Sequence, residues 1–421
     1  MRPTSLPEPV AARQPGGGWT VVAALFVVAM FAWGVAFYGL GFFLRELHDL
    51  RGWSVAALSW VTFAFYMGWT VLNFVVSRWL GRRRPRQVFA AGAVALAAAV
   101  FAIGHATGLG QLLGLYLVMA FGWACLSLTP ISATVLWWFP ENGTTPLTVA
   151  LTGASVGGVV FVPLLDALAR WYSFSVSLAV IAAMELVVVG WLALVVIRQP
   201  PDSDEVAGGS DVTDDAPTAW WVLRRPEFWP LAAGLALGLL VQVGFLVHQL
   251  SILDDTVSKG AAARIVAATT AAAMAGRLVF VGLTARVTAA GAGALFLVLQ
   301  TVALLLLAGA RGPLASLLSS CLFGLGVGVL VVIAPLLTRT TFPRTTFTAV
   351  FPVVSIGYQV AIALGAPVVA LGRDAFDGYG PTLVALALVD AVAAAAIALN
   401  RWQTRPARDL AGAATTATPV D

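Results

Sequence analysis

The stretch Arg198–Ala219, RQPPDSDEVAGGSDVTDDAPTA, cuts an otherwise apolar chain into two parts of similar length. Its acids, prolines, glycines and serines cannot bury a core, so it reads as a flexible linker. Working outward, apolar runs bounded by glycine, proline or charge precede it near residues 19–44, 54–79, 88–107, 110–136, 146–170 and 173–197. Further runs follow near 227–250, 261–284, 288–309, 313–339, 346–371 and 380–400. Each offers the roughly 20 residues a helix needs to cross the hydrocarbon core. The expected fold is an all-α integral membrane protein, twelve transmembrane helices in two pseudo-symmetric six-helix halves.

The composition excludes the soluble classes. Hydrophobic residues make up 60% of the 421 and charged residues 10%, whereas a soluble domain is about half apolar and about a quarter charged. The expected division is an N-terminal tail over 1–18, a first half over 19–197, an acidic linker over 198–226, a second half over 227–400 and a tail over 401–421. The opening MRPTSLPEPVAARQPGGG lacks the h-region and cleavage site of a signal peptide, so insertion is expected to rely on the first spanning helix. Cys125 and Cys321 sit inside apolar runs and read as buried thiols, with no disulfide framework and no metal cluster.

Positively charged short loops stay cytoplasmic, and the arginines cluster at one end of the predicted bundle. Arg78, Arg82, Arg83, Arg84 and Arg86 alone follow the second run. Both termini and the linker are therefore expected on the cytoplasmic side of a bacterial inner membrane. This asymmetry accounts for a sequence pI near 9.4 without a nucleic-acid partner. The halves also echo each other: the second and eighth runs end in arginine-bearing loops, the fourth and tenth each hold a cysteine, and the sixth and twelfth each hold a mid-run acid, Glu185 and Asp390.

One basic residue is left over by this topology. Arg277, in AAAMAGRLVFVGLTAR over Ala271–Arg286, lies nine residues before Arg286, roughly 13 Å inward at 1.5 Å per residue. An intramembrane arginine is costly and marks a site by default. It offers a planar fork to a carboxylate. The alternative is a structural arginine satisfied by carbonyls or by an acid on a neighbouring helix.

Other embedded polar residues are weighed in the same way. His248 and Tyr38 each lie nineteen residues after the tryptophan that opens their helix, Trp229 or Trp19. They are expected to form a polar rim near the outer side, or else to serve packing. Gln242, Tyr358 and Gln359 sit at cavity depth, where they would orient a ligand or bond between helices. Proton-coupling candidates are His248, Asp166, Glu185 and Asp390. Glu185 and Asp390 also suit a neutral structural role, and Asp166 is expected at a solvated end, paired i,i+4 with Arg170. No phosphate loop, metal cluster, nucleophile motif or nucleotide fingerprint is present in the sequence. No cofactor and no enzymatic activity are expected.

Several stretches resemble the major facilitator superfamily, and within it the bacterial branch similar to monocarboxylate transporters and oxalate/formate antiporters. These are Tyr38-Gly39-Leu40-Gly41-Phe42-Phe43-Leu44, Gly52-Trp53-Ser54 with Ala57-Leu58-Ser59, and Ser77–Arg86 after the second run. Trp138-Phe139 with Ala150, Gly153 and Gly157, then Phe228-Trp229, His248, Gly276-Arg277, and Phe342, Arg344 and Phe347 extend the likeness. It implies alternating access, with Arg277 as the anion ligand and Arg78, Arg82, Arg286 and Arg344 at the inner gate.

The departures are informative. Gly81 and Ala285 stand where the inner-loop acids are expected, and Thr144 or Thr145 replaces an arginine, which implies a weak inner latch and an inward-facing bias. Ala273 stands where related eukaryotic transporters carry an aspartate, so a proton-linked pair on this helix is missing. Uniport or anion exchange becomes more plausible than proton symport.

The function expected is secondary active or facilitative transport of a small organic anion, a monocarboxylate, by a monomer in the lipid bilayer, with protons or a counter-anion as coupling partners. The alternatives are efflux of amphipathic drugs or metabolites, and a transport-inactive sensor on the same fold.

Overall fold

The computed structural model describes residues 15–82, 85–139, 144–198, 219–284, 286–342 and 346–403. Most of the expected linker, together with Ala285 and Arg344, falls outside the described residues.

The first passage comprises α1 (Pro15–Trp33), a π-helical segment (Gly34–Tyr38) and α2 (Gly39–Arg51). There follow α3 (Val55–Arg82), α4 (Pro85–Ile103), then α5 (Leu109–Leu126) with α6 (Leu128–Trp138), α7 (Thr144–Trp171) and α8 (Phe174–Trp191), which ends in a second π segment, Leu192–Val196. After the short α9 (Ala219–Leu223) the second half runs α10 (Phe228–Asp254), α11 (Lys259–Thr284), α12 (Ala289–Ala308), α13 (Pro313–Gly326) with α14 (Val329–Thr341), α15 (Phe347–Ala375) and α16 (Tyr379–Gln403). Among the described residues, 11 helices are long and apolar enough to cross a membrane. The remaining expected run, 313–339, is built from α13 and α14 in succession.

Twelve passages return the chain to its starting side, so the start of α1, the end of α16 and the described flanks of the linker share a terminal end of the bundle, and the turns at 52–54, 104–108, 172–173, 255–258, 309–312 and 376–378 form the distal end. Helix α9, found where only linker was expected, has a local cause. Arg225 lies over the Trp221 ring at 4.3 Å and Trp229 Nε1 donates to the Leu223 carbonyl at 3.1 Å. Such tryptophan and arginine pairs suit the membrane interface.

The packing repeats between halves. Within the first half α1 packs on α7, α3 on α5, and α4 on α5 and α8; within the second, α10 packs on α15, α11 on α13, and α12 on α13 and α16. Each pairing in one half has its counterpart six passages later. The halves meet through α3 with α15, α7 with α11, and α2 with α10. The first two of these exchange under the same twofold relation.

The symmetry extends to irregularities. Both fourth passages are broken: α5 and α6 meet at the extended Ser127, and α13 and α14 meet at Val327 and Gly328, the latter at φ 86. At each break the helical hydrogen bonds stop, leaving carbonyls at the end of one half-helix and N–H groups at the start of the next.

Candidate functional site: a guanidinium at a broken helix

Arg277 stands in the last two turns of α11, half-buried. Its neighbours Gly276 and Gly328 explain how it fits. A Cβ on Gly276 would collide with the Leu325 carbonyl at the end of α13, and a Cβ on Gly328 would lie 2.5 Å from Arg277 Nε and 2.6 Å from Nη2. The two glycines thus let α11 close onto the break and let the guanidinium occupy the space beside it. Gln300 of α12 grips the other side, its Nε2 donating to the Phe323 carbonyl at 3.5 Å. Guanidinium charge suits the carbonyl end of α13, the negative pole of a half-helix.

Across the halves, Arg277 Nη1 donates to Ser155 Oγ of α7 at 3.1 Å. Nε is buried without a hydrogen-bond partner, and among the described residues Arg277 makes no ion pair. α14 begins at Gly328 with no side-chain cap. A fork with spare donors therefore sits beside uncapped backbone N–H groups, a setting that attracts an anion.

Tyr38 closes the π segment of the first passage and lies within the electrostatic field of Arg277. Its ring occupies the space beside Gly158 and Thr270, where α7 meets α11. Gln242, buried in α10, leaves its Oε1 without a partner. Tyr358 and Gln359 are half-buried on α15.

His248 departs from the rim expected of it. It is 0% exposed. Nε2 donates to the Ala366 carbonyl at 3.0 Å, with Ser59 Oγ 3.3 Å away, and Nδ1 lies 3.1 Å from the Tyr379 hydroxyl. A carbonyl only accepts, so the proton sits on Nε2, and Nδ1 accepts from the tyrosine. The ring ties α10 to α3, α15 and α16 instead of sharing a rim with Tyr38.

Asp166 also departs from expectation. It is 2% exposed rather than solvated, because Arg45, assigned to a loop by hydropathy, is carried inward by α2 and is itself 2% exposed. Arg277 is therefore not the sole embedded basic residue. Arg45 Nη2 bonds Asp166 Oδ1 at 3.0 Å and Nη1 lies 3.6 Å from Asp254 Oδ1 of α10. The expected Arg170 pair is present too, at 3.1 Å. Lys259 of α11 meets Asp49 of α2 at 2.5 Å. This network joins the halves at the distal end.

The two mid-run acids sit within the halves. Glu185 of α8 is buried with both carboxylate oxygens unpartnered, and Asp390 of α16 accepts from Thr301 of α12 at 3.3 Å. At the terminal end Arg78 and Arg286 are exposed; the Arg82 side chain and Arg344 lie outside the described residues.

Ser155, Gly328, Arg45 and Asp254 were not singled out from the sequence. The pair Gly326-Val327-Gly328 inside an apolar run is the only signal that would have marked the break. Nothing local to Ser155 would have found it.

Two six-helix halves, each with a broken fourth passage and with an embedded guanidinium beside one of the breaks, define an all-helical multi-pass membrane protein. The chain matches the Major Facilitator Superfamily over residues 22–409 and belongs to that family. It is 28% identical over 183 residues to monocarboxylate transporter 13 of Rattus norvegicus, covering 42% of each chain, and 27% identical over 248 residues to monocarboxylate transporter 13 of Bos taurus, covering 57% of this chain and 55% of the relative. The chain thus spans about half the length of these relatives. Among solved structures it is similar to a bacterial homologue of the human lysosomal transporter Spinster in an inward-facing, occupied conformation, with TM-score 0.73, 16% identity and coverage of 90% and 96%. The nucleoside transporter NupG gives TM-score 0.73 at 14% identity, covering 90% of this chain and 98% of that one. At these identities the two structures speak for the fold alone. The protein is a multi-pass membrane protein of that superfamily.

Proposed function

We propose that the protein moves a small organic anion, a monocarboxylate, by rocking of its two halves about a central site, with Arg277 as the carboxylate ligand. The observation that carries this reading is the guanidinium itself: embedded, bonded to one serine, with Nε unpartnered and no acid paired to it. An arginine retained only for packing would have its donors taken up by carbonyls or a carboxylate. The uncapped start of α14 adds positive potential at the same place. Both relatives carry the name of monocarboxylate transporters, which agrees with this choice of cargo.

The remaining groups take supporting roles. Tyr38, Gln242, Tyr358 and Gln359 orient the anion, while His248 holds helices together. Arg78, Arg82, Arg286 and Arg344 are the basic residues of the inner gate. The setting is a bacterial inner membrane with both termini cytoplasmic, so the ion-paired distal end faces outward and the molecule rests inward-facing. The domain division expected from the sequence is kept, and the transporter acts as a monomer.

Ala273 supplies no acid beside Arg277, and Asp166 is engaged by Arg45 and Arg170, which supports a site without its own proton partner. Anion exchange or uniport follows, without proton coupling at the site. Uptake of labelled carboxylates into proteoliposomes, with and without an imposed pH gradient, tests this. Uptake is expected to follow the anion gradient and to be lost in Arg277→Ala; activity retained in that variant would remove the proposed role.

A further inference from the structure

The first half holds an aromatic cluster that helix packing alone does not explain. Trp123 of α5 is its centre, with ring centroids of Trp69 at 4.6 Å, Trp33 and Phe37 at 6.0 Å and Tyr66 at 6.2 Å. Four of these rings carry a hydrogen-bonding group, and three of those groups are buried without a partner: Tyr66 Oη, Trp69 Nε1 and Trp123 Nε1. Asn73 Oδ1, one turn beyond Trp69 on α3, is buried and unpartnered as well. Buried polar atoms are nearly always satisfied, and each orphan costs stability. Phenylalanine and leucine would pack these helices without that cost. Three orphans within one set of rings, and a fourth one turn along α3, point to a group that arrives and bonds to them.

The cluster lies level with Arg277. Gly157 of α7, two residues from Ser155, abuts the Met30 carbonyl and Gly34 N of the first passage, which places Trp33 at the height of the Ser155–Arg277 bond. The π segment Gly34–Tyr38 then turns consecutive side chains to different duties. Phe37 joins the cluster, and Tyr38, 5.0 Å from it by ring centroid, faces the Arg277 field. π segments of this kind recur at functional sites. Trp33, Phe37 and Trp69 are half-buried while Tyr66 and Trp123 are enclosed, so the cluster has an open side and a deep side.

We propose that this cluster is the tail subsite of the transport pathway, and that the cargo is an aromatic or otherwise planar organic acid bearing a second oxygen on its ring. The proposal rests on the reading of Arg277 as the carboxylate ligand. Flat rings stack on flat rings at such separations, the indole N–H groups and the Tyr66 hydroxyl donate to the cargo oxygen, and Asn73 accepts from a hydroxyl if one is present. Binding then reaches from the guanidinium of one half to the rings of the other, so a long acid bridges the two halves and a short one does not.

The test uses the full chain in proteoliposomes with labelled pyruvate, phenylpyruvate and 4-hydroxyphenylpyruvate. These share a carboxylate and differ only in the tail. KM is expected to fall by about tenfold from pyruvate to phenylpyruvate, and further for the hydroxylated acid. Tyr66→Phe and Trp123→Phe keep a ring and remove a donor; they should erase the hydroxyl preference and leave pyruvate KM unchanged. Arg277→Gln should abolish uptake of all three. Equal KM values for the three acids in the wild type, with Arg277→Gln inactive, would overturn the tail subsite and leave the carboxylate site standing. A loss of pyruvate uptake as large as that of the aryl acids in both phenylalanine variants would show a packing role and overturn it too. Uptake of none of the three by the wild type, or full uptake by Arg277→Gln, would bring down the carboxylate reading on which the proposal depends.

Discussion

Gly328 and Arg277 share one space: a single carbon added to the glycine would fall 2.5 Å from the arginine Nε. The glycine is at φ 86, a left-handed conformation that costs an L side chain about 1–2 kcal/mol. Gly328→Ala should therefore act in two ways, lowering stability by about that amount and pushing the guanidinium off the break. The expected outcome is an apparent affinity for the transported anion weakened by about tenfold, with protein still inserted and monodisperse. Uptake kinetics beside a thermal melt separate the two effects, and an unchanged KM would show that the break does not position Arg277.

The Arg45–Asp166 pair predicts a sharp contrast in stability. Both groups are nearly sealed, and removing one partner of a buried pair costs about 3–5 kcal/mol because the other charge is left stranded. Arg45→Gln and Asp166→Asn should each depress the melting temperature strongly. Lys259→Ala removes one partner of an exposed pair, whose worth is about 0–1 kcal/mol, and should leave the melt nearly unchanged. Equal melting shifts for all three would mean that burial does not govern the network.

The twelve passages were legible because each is a long apolar run closed by charge, proline or glycine, and the predicted limits fall within a few residues of most helices. What hydropathy could not see was where polar residues are satisfied. The first apolar run ends near Leu44, one residue before Arg45, yet the helix continues to Arg51, and Asp166 and Asp254 on two other helices receive that arginine. The partner is distant in sequence, so no local pattern records it. The same holds for Ser155 and Arg277, and for His248, whose spacing from Trp229 gave its depth but not the carbonyl and hydroxyl that enclose it. Arg277 itself was legible from the opposite logic, as the charge that topology left over.

His248 should behave as a tie between helices. Its ring bonds reach α15 and α16 and lie beside Ser59 of α3, and each lost buried hydrogen bond costs about 1–3 kcal/mol when it strands a partner. His248→Asn is expected to lower the melting temperature while KM for the anion stays within about twofold of wild type, since 0.4 kcal/mol separates such values. A KM rise of tenfold at unchanged stability would instead return His248 to the substrate pathway.

The distal closure can be tested without disturbing the buried network. Asp49 at the end of α2 and Lys259 at the start of α11 form an ion pair across the halves, and both side chains are accessible. Alternating access requires this end to part once per cycle, which separates α2 from α11. Asp49→Cys combined with Lys259→Cys, joined by a short thiol-specific bifunctional reagent that can be cleaved by reduction, should stop uptake in proteoliposomes. Reduction should restore it, and either single cysteine treated alike should remain active. The lysine side chain supplies most of the native span, and the reagent replaces it. Transport that continues in fully cross-linked protein would show that the distal end need not open, and the rocking of the two halves would then have to be abandoned as the route of the cargo.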